Sequence, residues 1–296
     1  MKAKKPKRPG RRPKGVITRS RVARKMALTM LLPMRRVPRR HAPQTLDADK
    51  TAVTYIGHAT TLLQTSGMNL ITDPIFSRRI LFLRRLVEPG IPFHDLPRID
   101  LILLSHAHMD HCDIPTLKRF PKHTPVICPR GVGDLPRRAG IREVFELDLN
   151  EHIDVRTVRI TSIPVRHFGH RYFRDTHRGY TAFLVEGGSR SIFFGGDTAY
   201  DPRFKEIGKR HPIDIAVLPI GAYKPDTFRG VHCNPPDAIR AYHDLSAKWL
   251  VPIHWGTFIL SYEPIDEPIE WLAAIRDHEE MGDRIAILDH GATRVF

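Results

Sequence analysis

Cysteine is scarce: the 296 residues include only Cys112, Cys128 and Cys233. So few, and an odd number, cannot build a disulfide framework; they fit a reducing compartment, and a soluble cytoplasmic body is the expectation. No apolar run approaches the roughly 20 residues that a membrane-spanning helix needs. Acidic residues are missing from positions 1–41, which hold 16 of the 47 Lys and Arg. The rest of the chain has 31 basic against 32 acidic residues, so the net charge of +15 belongs to the tail. A nucleic-acid track on the body is therefore disfavoured, because a polyanion site is basic.

What is present divides at about residue 41. The segment MKAKKPKRPGRRPKG combines like-charge repulsion with prolines and opposes packed structure. ITRSRVARKMALTMLLPM then runs from basic to apolar like a signal peptide, but Arg35, Arg36, Arg39 and Arg40 follow and no small-residue cleavage site appears. The expectation is a tail over 1–41 with a short helix near 18–32 on an anionic membrane surface, or else a solvated tail. Residues 42–296 form the second region, a globular domain.

Within it, TAVTYIGH, TTLLQTS and MNLITDP read as successive strands, with Ser66-Gly67 as a hairpin turn. IDLILLSH (99–106) is a continuous apolar run, the pattern of a strand covered on both faces. Asp113 and Pro115 are placed as N-cap and first turn of a helix. Further strands are expected at 124–129, 154–165, 180–188, 191–197, 214–220, 249–252 and 285–288, and helices at 235–246 and 267–281. Many short strands with helices in both halves predict an α/β sandwich, two sheets packed face to face with helices outside.

The chemistry concentrates in His106-Ala107-His108-Met109-Asp110-His111, a loop between the buried strand and the helix. Imidazoles with a carboxylate suit Zn²⁺ and its first-row neighbours, and a loop can aim these four side chains at one point. Four ligands are too few for two metals. His167, Asp197 and His254 each follow an apolar strand, as His106 does. Alone, each is more often a satisfied His or a turn Asp; their common placement makes them candidates together.

These residues, with G-H-A-T (57–60), T-D-P-I-F-S (72–77), G-D-T (196–198), E-I-G-K-R (206–210), P-I-G-A-Y (219–223) and I-H-W-G-T-F (253–258), resemble the metallo-β-lactamase fold superfamily. Within it they resemble the N-acyl-phosphatidylethanolamine phospholipase D family and, more distantly, ascorbate-6-phosphate lactonases. The resemblance spans about residues 50–294. It implies an αββα sandwich with His106, His108 and His167 on one metal, Asp110, His111 and His254 on a second, and Asp197 bridging them. Two Zn²⁺ are implied, with Mn²⁺ or Fe²⁺ as alternatives. Two cations about 3.5–4 Å apart yield a hydroxide nucleophile near neutral pH and neutralise a phosphoryl oxygen. Asp110 would orient that water or accept its proton, and His232 would donate to the phosphoryl oxygen or leaving group. Asp73 is implied to hold a ligating imidazole, with His58 a weaker candidate near the metals.

Arg171 is a candidate phosphate fork, Tyr223, Lys224 and Phe228 candidate entrance residues, and Cys112 and Cys233 packing residues. The reading that follows is a phospholipase D-like phosphodiesterase acting on N-acyl-phosphatidylethanolamine or a related phospholipid, with peripheral membrane contact through the tail and a homodimer as expected partners. The alternatives are a lactonase or sugar-phosphate hydrolase, a nuclease, and a non-catalytic metal-binding protein.

Overall fold

The computed structural model describes residues 33–38, 40, 42, 46–172 and 174–296. The helix expected near 18–32 lies outside the described residues. Among them, no helix is long and apolar enough to cross a membrane.

Two large sheets carry the fold. The first contains β1 (Ala52–Gly57), β2 (Thr60–Thr65), β3 (Met68–Thr72), β6 (Leu101–Leu103), β7 (Val126–Pro129), β8 (Val144–Leu147) and β15 (Thr293–Val295), in the order β15-β1-β2-β3-β6-β7-β8. The second contains β9 (His152–Val155), β10 (Val158–Ile163), β11 (Ala182–Glu186), β12 (Ile192–Phe194), β13 (Ile215–Pro219) and β14 (Trp249–Ile253), in the order β14-β13-β12-β11-β10-β9. A separate hairpin joins β4 (Arg79–Ile80) to β5 (Leu83–Arg84).

The continuous apolar run at β6 has a direct explanation. Leu101 and Leu103 enter the core between the sheets, with Phe183, Phe193 and Val217 of the second sheet. Ile102 and Leu104 point the other way, into a core with Leu117, Phe120 and Leu135. Alternate residues of one strand thus fill two cores. Helices α1 (Ile114–Leu117) and α2 (Asp134–Arg138) contribute to that outer core, while α3 (Phe204–Arg210), α4 (Pro235–Asp244) and α5 (Glu267–His278) bury Phe204, Ile239, Tyr242 and Leu272 with the second sheet. The layers are α, β, β, α.

Some local expectations change. The run 154–165 is two strands, because Arg156 takes a left-handed turn (φ 52°) and Val155 pairs with Val158. Residues 285–288 form no strand; only Ile285 bridges to Leu250, and the apolar pattern there reflects burial of a loop. Ser66 and Gly67 do form the hairpin turn, at φ 52° and 71°. Asp113 stands at the N-cap of α1, but its carboxylate accepts from the hydroxyls of Ser77 and Thr116, both at 2.5 Å, and not from backbone.

The candidate metal centre

The parallel strands β3, β6 and β7 end on the same edge as β12, β13 and β14, and the chemistry-bearing loops leave from there. Asp73 follows β3 with φ 36°, a left-handed conformation that Asp tolerates better than most residues. Its Oδ1 accepts from the Ser105 backbone N–H at 2.7 Å, and its Oδ2 from Ser105 Oγ at 2.6 Å and His111 Nδ1 at 2.7 Å. Ser105 Oγ also lies 2.8 Å from His106 Nδ1. One buried carboxyl therefore orients two imidazoles, one directly and one through a serine hydroxyl.

Asp197 reaches the cluster from the second sheet. Gly196 precedes it at φ 55°, and a Cβ there would fall 2.5 Å from that of Ser105, so only glycine allows this approach. His254 (φ 63°) donates its backbone N–H to the carbonyl of His58 (φ 60°) at 2.8 Å, joining the β14 end to the β1–β2 turn.

Two four-residue groups of candidate ligands result, each with donor atoms within 4.8 Å of one another, and two three-residue groups, Asp73, His106 and His111 and Asp197, His232 and His254, overlap them. His106, His108, His167 and Asp197 form one; His58, Asp110, His111 and His254 form the other. Asp197 joins them: its Oδ2 is 3.1 Å from His111 Nε2 and its Oδ1 is 3.2 Å from His254 Nε2. Neither contact is aligned as a hydrogen bond; His111 Nε2, His254 Nε2, His232 Nδ1 and Asp197 Oδ1 are all buried without a hydrogen-bond partner. Each such orphan costs about 1–3 kcal/mol. Orphans converging from both sheets, among six imidazoles and two carboxylates, fit a site built for cations.

The electrostatics agree. Burial pushes His106 well below its ordinary pKa and His167 down to about 3, so both are neutral at pH 7, the form in which an imidazole can ligate. Burial opposes charge on Asp110 and Asp197 too, but the surrounding histidines together, His111 foremost, outweigh it and hold both carboxyls well below the usual range. Burial likewise opposes charge on His111 and His254, and here the carboxylates win. Asp197 leads in raising His111 well above its ordinary value and His254 to about 9. Without a cation, protons on these two rings balance the buried carboxylates.

All seven residues singled out as metal candidates are brought together here. His232 joins them, its Nδ1 3.7 Å from Asp197 Oδ2. Burial draws its pKa down to about 4. His58 is more central than its sequence signal, with Nε2 2.9 Å from Asp110 Oδ2. Arg171 differs from expectation: its Nη1 donates to the carbonyls of Ala107 at 2.9 Å and Cys112 at 2.8 Å, bracing the ligand loop. Tyr223 is also no entrance residue, since it is buried and donates to Glu267, which pairs with Lys224 as well. Phe228 is exposed, and Cys112 and Cys233 are buried as packing residues. Ser105, first in the stretch Ser105–His111, is the neighbour to which sequence reading gives no role; nothing marks a serine beside a histidine.

A family model described as the beta-lactamase superfamily domain matches residues 68–255. An uncharacterized protein of Mycobacterium tuberculosis is 36% identical over 79% of this chain, which spans 66% of that relative's length. N-acyl-phosphatidylethanolamine-hydrolyzing phospholipase D 1 of Caenorhabditis elegans is 33% identical over 77% of this chain and 70% of its own. Among solved structures, a possible metal-dependent hydrolase from Veillonella parvula superposes with a TM-score of 0.70 at 14% identity, covering 83% of this chain and 99% of its own.

Proposed function

The chain belongs to the metallo-β-lactamase superfamily as a metal-dependent hydrolase, and from that premise we propose a phospholipase D-like phosphodiesterase acting on N-acyl-phosphatidylethanolamine or a related phospholipid. The observation that carries the metal-centred part is the convergence of orphaned buried nitrogens and a carboxylate oxygen between two ligand groups. In this reading His106, His108 and His167 hold one cation, Asp110, His111 and His254 the other, and Asp197 both. Zn²⁺ is the first choice for this donor set, ahead of Mn²⁺ and Fe²⁺. When bound, such a pair supplies Lewis acidity toward a phosphoryl oxygen and lowers the pKa of a water.

The chain's own groups do the rest. Asp110 is kept ionised by His111, and His58 Nε2 sits 2.9 Å from its Oδ2, so that carboxylate is fixed to accept a proton. His232, neutral at pH 7, has an N–H to offer a phosphoryl or leaving oxygen. The kinship with the Caenorhabditis elegans enzyme supports the lipid substrate.

The test is incubation with vesicles of N-acylated and ordinary phosphatidylethanolamine, with products followed by mass spectrometry with and without chelator. Chelator-sensitive phosphatidic acid is expected. Absence of lipid product from protein loaded with two metals would overturn the phospholipase reading and favour a soluble lactone or sugar phosphate.

A further inference from the structure

The hairpin β4–β5 belongs to neither large sheet. Ile80 pairs with Leu83, leaving Leu81 and Phe82 as a two-residue turn, with Leu81 at φ 54°. Such turns ordinarily take Asn, Asp or Gly. Here the turn residues are apolar and stand 68% and 54% exposed, more exposed than most other large apolar residues described. The inner side is anchored: Ile80 packs with Ile75 and Phe258, and Leu83, Met109 and Leu260 lie against them. Met109 sits between His108 and Asp110, and Phe258 meets His58 edge-on at 5.4 Å. The finger therefore rises from the rim of the metal cluster. Tyr172, in the loop after His167, and Phe228, in the turn before His232, are exposed as well.

The hairpin segment itself carries charge of one sign only. Positions 74–87 contain no Asp or Glu. Arg78 and Arg79 are exposed, Arg84 partly so, and neither Arg78 nor Arg79 makes an ion pair among the described residues. We propose that the hairpin is a docking finger for an anionic lipid surface, with Leu81 and Phe82 entering the acyl layer and Arg78 and Arg79 meeting headgroup phosphates. A two-residue tip is too small for a protein partner, whose interface needs about 1,200 Å² or more. Apolar tips under a ring of arginines match hydrocarbon beneath phosphate. The proposal rests on the phospholipid reading for its purpose, since a finger beside the cluster would set the cluster against the bilayer.

The full chain carrying F82W is mixed with phosphatidylglycerol–phosphatidylcholine vesicles, and its emission is compared with that of the parent, whose own tryptophans are Trp249, Trp255 and Trp271. A blue shift and quenching by brominated acyl chains are expected. L81S/F82S should lower vesicle partition on the order of tenfold, with Tm and metal content at parent values. Vesicle-bound F82W whose emission does not move overturns the proposal, because another face then binds. So does an F82W shift that follows protein concentration without vesicles, which would mark a contact between copies. Neither probe lipid need be a substrate: insertion here beside no product from the N-acylated and ordinary phosphatidylethanolamine vesicles supports the finger and sinks the phospholipase reading, and product there without insertion here does the reverse.

Discussion

Replacing Asp73 by Asn keeps the volume and removes an acceptor at the base of the cluster. Three bonds converge on this carboxyl, from Ser105 N at 2.7 Å, Ser105 Oγ at 2.6 Å and His111 Nδ1 at 2.7 Å. Asn offers one acceptor oxygen and an NH₂, so if the oxygen stays with the Ser105 N–H, the NH₂ faces both Ser105 Oγ and His111 Nδ1. If Ser105 keeps its bond, His111 loses the partner that fixes its ring. The lost hydrogen bond to a charged group is worth about 1.5–3 kcal/mol. Part of that reaches the metal, and loss of a supporting partner of this kind typically weakens metal affinity about 10–100-fold. Asp73 is also one of the carboxylates that raise the pKa of His111. Competition against a chromophoric chelator measures the affinity directly. D73N protein that binds two cations with parental affinity would refute the reasoning.

Metal uptake by the apo protein at pH 7 should release about two protons, one each from His111, raised well above its ordinary pKa, and His254, raised to about 9. Apparent affinity then climbs as pH rises, less steeply above about 9 once His254 has deprotonated; titration calorimetry in buffers of different ionisation enthalpy counts the protons, and a count of zero contradicts the assignment. His232→Asn should lower kcat on the order of 10²–10⁴-fold with metal content unchanged, checked by steady-state kinetics beside metal analysis. Gly221→Ala would put a Cβ 2.0 Å from the His254 carbonyl oxygen. The resulting overpacking should cost about 1–3 kcal/mol, read as a lower denaturation midpoint.

The architecture was largely legible because β6 divides its side chains between two cores, which no half-exposed strand does. The ligand loop was legible for a related reason: histidines and aspartates just beyond apolar strands stand at one sheet edge. His58 was underweighted because it reaches Asp110 only through a left-handed backbone at φ 60°, and sequence periodicity does not encode that. Arg171 reads as a phosphate ligand from its charge, whereas its place is set by two carbonyls, Ala107 and Cys112, which any sequence supplies. Residues 285–288 mimic a strand because burial against Leu250 demands apolar side chains whether or not a ladder forms.

The candidate ligands come from both leaves of the sandwich: His106, His108, Asp110 and His111 after β6, and His167, Asp197 and His254 from the second sheet. A cation there would rivet the leaves together, tying residues far apart in the chain as a disulfide would. The three thiols are buried and free, so they supply no covalent fastening of that kind. Ligand-linked stabilisation reaches about 4 kcal/mol at a thousandfold excess over Kd. Resistance to heat and proteolysis would then track metal supply, and starvation for metal would unfasten the enzyme at its catalytic edge.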